Sequence, residues 1–163
     1  MIFFVHAVFI GAVGTGLMDL IGLAQRRLLG IPSLNYAMVG RWIGHIPNGQ
    51  VIHRSIGQSP PVAYEAALGW AAHYLIGIIF GAILLLLAGP EWARAPGPVW
   101  PLLFGAATVV APFLTLQPGM GAGLAARKTP NPWKARLRSL SAHVAFGLGL
   151  WLGARLWATG IWG

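Results

Sequence analysis

The chain contains no cysteine, and only three of its 163 residues are acidic. The first absence excludes disulfides, thiolate metal ligands and cysteine nucleophiles. The second, with charged residues at 9% against a hydrophobic content of 56%, excludes the solvated surface of an ordinary soluble domain. Heptads and low-complexity tracts are missing too, as are H-x-x-E-H-like and E-x-x-H metal motifs.

What the chain has instead is long apolar runs. From Ala66 to Gly89 there is no Lys, Arg, Asp or Glu, a length that crosses a ~30 Å hydrocarbon layer as a helix. Within it Gly69, His73, Gly77 and Gly81 repeat at a spacing of four and share one ridge. Small residues on a ridge admit a neighbouring helix, so His73 is expected to face protein rather than lipid. Residues 2–24 form a first span, read as uncleaved because the stretch lacks a basic start and a small-x-small cleavage site. Its ridge is Gly11, Thr15 and Asp19. A third span covers 98–117, with a kink at Pro112 whose freed carbonyls fall to Thr108 and Thr115. A fourth covers 139–160, where Ser139, His143 and Gly147 repeat the spacing. Trp151, Trp157 and Trp162 with Arg155 read as an interfacial belt. The expected fold is all-α: one four-helix transmembrane bundle, residues 1–163.

The first loop, 28–65, carries a short amphipathic helix expected to lie in the headgroup region, N-capped by Ser33. Leu34, Met38 and Trp42 form its apolar stripe, Ala37, Arg41 and His45 a more polar one, and Pro47, Asn48 and Gly49 end it.

The net charge of +8 does not point to nucleic acid, because the basic residues abut the spans. Nine of the eleven lie in the first and third loops, which share a side if there are four spans. The bacterial cytoplasmic membrane follows as location, with both termini outside the cytoplasm and anionic headgroups as partners of the loops.

That orientation gives each ionisable residue a depth. Asp19, His73 and His143 fall within roughly one helical turn of one another, at ~1.5 Å of rise per residue, in the cytoplasmic leaflet. Gln117 reaches the same leaflet, Glu65 its edge, and His6 lies at the opposite face. Three readings follow. Asp19 pairs with a histidine as interhelical glue. Alternatively Asp19, His73 and His143, with Glu65, His45 or water, hold a divalent metal, or His73 and His143 hold a haem. In the third, the same residues relay protons in a transporter or channel subunit, with a second copy completing the path. His45 and His53 read as solvated loop side chains, or as a cap on the site if the loop folds back. The run Gly119-Met-Gly121-Ala-Gly123-Leu-Ala-Ala126, followed by Arg127 and Lys128, fits a dinucleotide fingerprint only superficially, since a membrane helix and not a strand precedes it. It reads as a flexible turn or a backbone anion nest.

The segments MDLIGLAQRRLLGIPSLNYAMVGRWIGH (18–45), AHYLIGI (72–78) and APFLTLQPGMGAG (111–123), followed by ARLRSL and His143, resemble the bacterial family called domain of unknown function 2938. The resemblance implies a small integral membrane protein and brings no established activity. It places Asp19, Arg26, Arg27, Asn35, Tyr36, Arg41, His45, His73, Gln117 and Met120 inside the matching segments.

Overall fold

The computed structural model describes residues 1–160, whose regular structure is all helical, with no strand among them. In chain order the helices are α1 (Ile2–Leu29), α2 (Tyr36–His45), α3 (Glu65–Arg94), α4 (Val99–Thr108), α5 (Val110–Leu114), α6 (Leu116–Gly119) and α7 (Pro132–Ala158). Trp162 of the expected belt lies outside the described residues.

Three of these helical stretches, Ile2–Leu29, Glu65–Arg94 and Val99–Gly119, are long and apolar enough to cross a membrane. Helix α7 has the length but not the composition. Lys134, Arg136 and Arg138 occupy its first turns, and Ser139, Ser141 and His143 follow.

The boundaries differ from the expected ones where backbone chemistry overrides hydropathy. Helix α1 runs past Ala24 to Leu29, because Arg26 and Arg27 complement the negative end of the helix dipole. Gly30 then stops it in the left-handed region (φ 64), its N–H reaching the carbonyl of Gln25. Helix α2 is capped by Asn35, not Ser33: the Asn35 Oδ1 accepts from the Ala37 N–H at 3.0 Å. The second span breaks at Gly89 (φ 79, ψ 173), and Pro90 opens a last short helical stretch. The third is interrupted at Val109 and Thr115. The Thr108 and Thr115 hydroxyls donate to the carbonyls of Gly105 (2.6 Å) and Ala111 (2.8 Å). Neither is the Thr108 carbonyl that Pro112 leaves without its helical donor.

The chain forms two compact units. One comprises Met1–Ser33, Tyr74–Thr108 and, among the described residues, 140–160. Its core is Ala7, Ile10, Leu84, Leu85, Trp92, Phe146, Leu150 and Ala154. Glycines set its helix contacts. Gly77 and Gly81 of α3 lie against Thr15, Ala7 and Gly11 of α1, and Gly149 of α7 against Gly14. Gly105 of α4 meets Gly147 of α7. A Cβ on Gly81, Gly105 or Gly149 would meet facing backbone at or inside 3 Å, so there the helices touch backbone to backbone, while Gly77 makes room for the Thr15 side chain. The opposite faces are apolar and exposed: Leu20 and Leu23, Ile76, Ile79 and Ile83, Leu103, and Val144 and Leu152.

The other unit comprises Leu34–His73 and Val109–Ser139. Here α2 packs on the first turns of α3. Tyr36, Gly40 and Gly44, spaced by four, meet Glu65, Gly69 and Val62. The expected stripe is not the buried face, and Leu34 is exposed. The loop after α2 crosses to the end of α6, where the His53 N–H donates to the Gly119 carbonyl (2.8 Å) and the Ile56 N–H to that of Met120 (3.1 Å).

Candidate functional site

The polar side chains of the second unit are organised by Arg41. Its Nε and Nη2 donate to the two carboxylate oxygens of Glu65, each at 2.8 Å, and its Nη1 donates to the Ser59 carbonyl at 3.1 Å. The side chains are 12% and 19% exposed. A planar guanidinium matched to a carboxylate in this way fixes orientation as well as distance. The hydrogen bonds that Arg41 donates to Glu65 raise the arginine's pKa above the ordinary value. Glu65 also accepts from the Val62 N–H at the start of α3, where a carboxylate complements the helix dipole.

Holding Ser59 in place positions two histidines. The His53 Nδ1 is hydrogen-bonded to the Ser59 Oγ at 2.7 Å, and the His45 Nε2 donates to the Pro60 carbonyl at 2.9 Å. The two ring planes are inclined by 62°, with 5.2 Å between centres. They are 9% and 4% exposed for His45 and His53, so the solvated reading is overturned. The loop folds back, and backbone pairing with Gly119 and Met120 takes both imidazoles out of water.

His73 faces protein, as its ridge requires. Its Nε2 is hydrogen-bonded to the Tyr36 hydroxyl at 2.8 Å, and the rings stack at 4.2 Å. Trp70 packs on the same tyrosine at 4.3 Å. In the first unit the Thr108 Oγ1 and His143 Nδ1 are hydrogen-bonded at 2.8 Å. The threonine's proton goes to Gly105, so the imidazole donates and carries its proton on Nδ1. Tyr74 hydrogen-bonds Asp19. Gln117 donates to the Ser139 Oγ at 3.2 Å.

Each member of the expected metal cluster has a hydrogen-bond partner on at least one polar atom. Hydroxyls serve Asp19, His73 and His143, Arg41 serves Glu65, and a carbonyl serves His45. Among the described residues, no group of three or more His, Asp or Glu side chains is placed to hold a metal ion. Sequence depth fixes height along a helix but not the short lateral distances that ligation needs.

The glycine run is also internally committed. Gly119, Gly121, Ala122, Ala126, Arg127 and Lys128 all donate their N–H groups to carbonyls between Thr115 and Leu124. Those donors are therefore not presented to an anion, and the charge of Gly119, Gly121, Gly123 and Arg127 as a set resides in the Arg127 side chain. His6 is buried against Trp157, rings stacked at 4.6 Å, and Trp151 donates to the Pro96 carbonyl at 3.1 Å.

The partners that the sequence reading did not single out are Tyr74 and Ser59. The ridge Tyr36-Gly40-Gly44 was visible as small residues at spacing four; nothing local signals Ser59.

No curated protein and no solved structure matches the chain. Residues 8–157 match a family model, and the chain belongs to the family it describes, "Protein of unknown function (DUF2938)".

Proposed function

We propose that this is a four-span protein of the bacterial cytoplasmic membrane whose unit Leu34–His73 and Val109–Ser139 binds anionic lipid headgroups at the cytoplasmic face. The observation that carries the reading is charge. That unit holds seven basic residues and one acidic residue, and the acidic one, Glu65, is already paired with Arg41. Arg54, Arg127, Lys128 and Lys134 are exposed, available to phosphate groups. Apolar exposed faces on α1, α3, α4 and α7 support burial in lipid, and those of α7 supply a fourth span despite its polar start.

Two experiments test it. Without native cysteine, single cysteines report topology directly. Ser33→Cys and Thr129→Cys should react with an impermeant maleimide only from the cytoplasmic side, and Gly97→Cys only from outside. For the headgroups, native mass spectrometry with equal phosphatidylglycerol and phosphatidylcholine should show preferential retention of the anionic lipid. At ~1 kcal/mol per basic side chain near a headgroup surface, replacing Arg54, Arg127 and Lys128 by Gln weakens that preference by roughly 100-fold. Equal retention of both lipids would refute the reading.

One observation favours transport as a second reading. The stretch Val99–Gly119 is broken at Val109 and Thr115, and the Thr108–His143 pair sits at the first break. Discontinuous spans carrying a titratable partner line substrate paths in transporters. Proton flux into liposomes that is lost in His143→Phe supports this reading over a purely lipid-binding one.

A further inference from the structure

We propose that His45 and His53 form a two-histidine site for a tetrahedral divalent metal ion of the zinc class, sharing only His45 with the set expected around Asp19. A carbonyl only accepts, so the His45 Nε2 bonded to Pro60 carries the proton, and Nδ1 of the neutral ring is a bare lone pair. The His53 Nδ1 is occupied by Ser59, whose own hydroxyl has a second acceptor, the Ser55 carbonyl, at 3.5 Å. With the serine proton turned there, His53 donates from Nδ1 and its Nε2 is bare.

That Nε2 is the second observation. It is inaccessible to water and has no hydrogen-bond partner, on a side chain 4% exposed. A buried ring nitrogen without a partner is costly, and a metal ion is one group that satisfies it. Each ring therefore has one nitrogen held by an oxygen and the other available. This is the pattern of ligating histidines, whose second nitrogen donates to a carbonyl or hydroxyl and fixes the tautomer.

The spacing agrees. With Zn–N bonds of about 2.0–2.1 Å at a tetrahedral angle, two imidazole centres stand roughly 5 Å apart. The observed separation is 5.2 Å, with the rings inclined by 62°. The scaffold is also prepared, because Arg41 anchors Ser59 through its carbonyl and Glu65 anchors Arg41. Two protein nitrogens leave the remaining positions to water or an incoming ligand.

The test uses untagged full-length protein in detergent, with Zn2+ itself as the probe. Equilibrium dialysis should give one Zn2+ per chain. The Co2+ form should show the strong visible bands of tetrahedral coordination. Ser59→Ala, which leaves both ligands and removes only the hydroxyl on Nδ1, should weaken Zn2+ binding about tenfold. His45→Gln and His53→Gln should each weaken it further, and His6→Gln should not. Because the His53 variant removes a buried ring and can fail to fold, 15N spectra of the unsubstituted protein supply an independent reading. Zn2+ should move ring nitrogens of two of its five histidines. Substoichiometric zinc, shifts at no histidine or at a different pair, or equal binding by the Ser59→Ala and His45→Gln variants would overturn the proposal.

Discussion

Gly40 of α2 and Gly69 of α3 bring two helix backbones into direct contact, with the Glu65 carbonyl lying where a Gly40 side chain would begin and the Tyr36 carbonyl where a Gly69 side chain would begin. Neither carbonyl can retreat without unwinding its helix, so even a methyl group forces α2 off α3. Gly69→Ala should destabilise the protein by about 1–3 kcal/mol, the usual range for overpacking. Gly22 makes the opposite case, since a Cβ there meets nothing within 4 Å. At that position Gly22→Ala should be neutral or stabilising by up to ~1 kcal/mol through helix propensity. Apparent melting temperatures in detergent distinguish the two, and equal shifts would mean that α2 does not dock as described.

The same contact sets Tyr36 over His73. Tyr36→Phe keeps the ring stack at 4.2 Å and removes the hydroxyl from the 2.8 Å hydrogen bond. The expected cost is about 0.5–1.5 kcal/mol, with a changed ring-nitrogen signal for His73. Tyr64→Phe serves as the control, because Tyr64 is exposed and its loss should leave both readouts unmoved.

Arg41 makes three directed donations, two to Glu65 and one to Ser59. An ammonium group is a point charge and cannot reproduce a planar fork. Arg41→Lys should therefore lower the melting temperature nearly as far as Arg41→Ala, although it conserves charge. Glu65→Gln should lower it too, and the Arg41→Ala, Glu65→Gln double variant should lose less than the two single losses together, since the partners act as one unit. The pH behaviour follows from the sign of the shift. Glu65 raises the pKa of Arg41 above its ordinary value, so the guanidinium's contribution is fully present below the ordinary arginine range and disappears only as pH rises through the folded-state value. Any alkaline loss of stability between pH 7 and 10 must come from other groups.

Much of the helical framework is written locally. The break at Gly89 and Pro90 follows from backbone chemistry that two residues specify. The ridge Gly69, His73, Gly77 and Gly81 follows from spacing, and all four contact protein in the structure. What the spacing leaves open is which partner each residue meets. Asp19 and His143 read alike as polar residues at matching depth, yet one finds Tyr74 and the other Thr108. Choosing between a carboxylate and a hydroxyl as partner depends on helix rotation and lateral packing, which hydropathy does not encode. The burial of His45 and His53 was hidden for a related reason. It depends on a loop that pairs with Gly119 and Met120, more than sixty residues away in sequence.

The Thr108 hydroxyl joins two elements, accepting from the His143 Nδ1 at 2.8 Å while donating to the Gly105 carbonyl at 2.6 Å. It is 8% exposed and sits one residue before the helix is interrupted at Val109. Thr108→Val preserves shape and β-branching but withdraws both hydrogen bonds, so its cost isolates the hydroxyl from packing. That cost should be about 1–3 kcal/mol, the range for depriving a buried polar group of its partner. Thr108→Ser removes a methyl group instead and keeps the hydroxyl, and it should cost roughly 1 kcal/mol through lost burial alone. The order Val worse than Ser is the informative result, read from melting temperatures of matched preparations. The reverse order would show that Thr108 contributes as an apolar core residue and that its link to His143 is incidental.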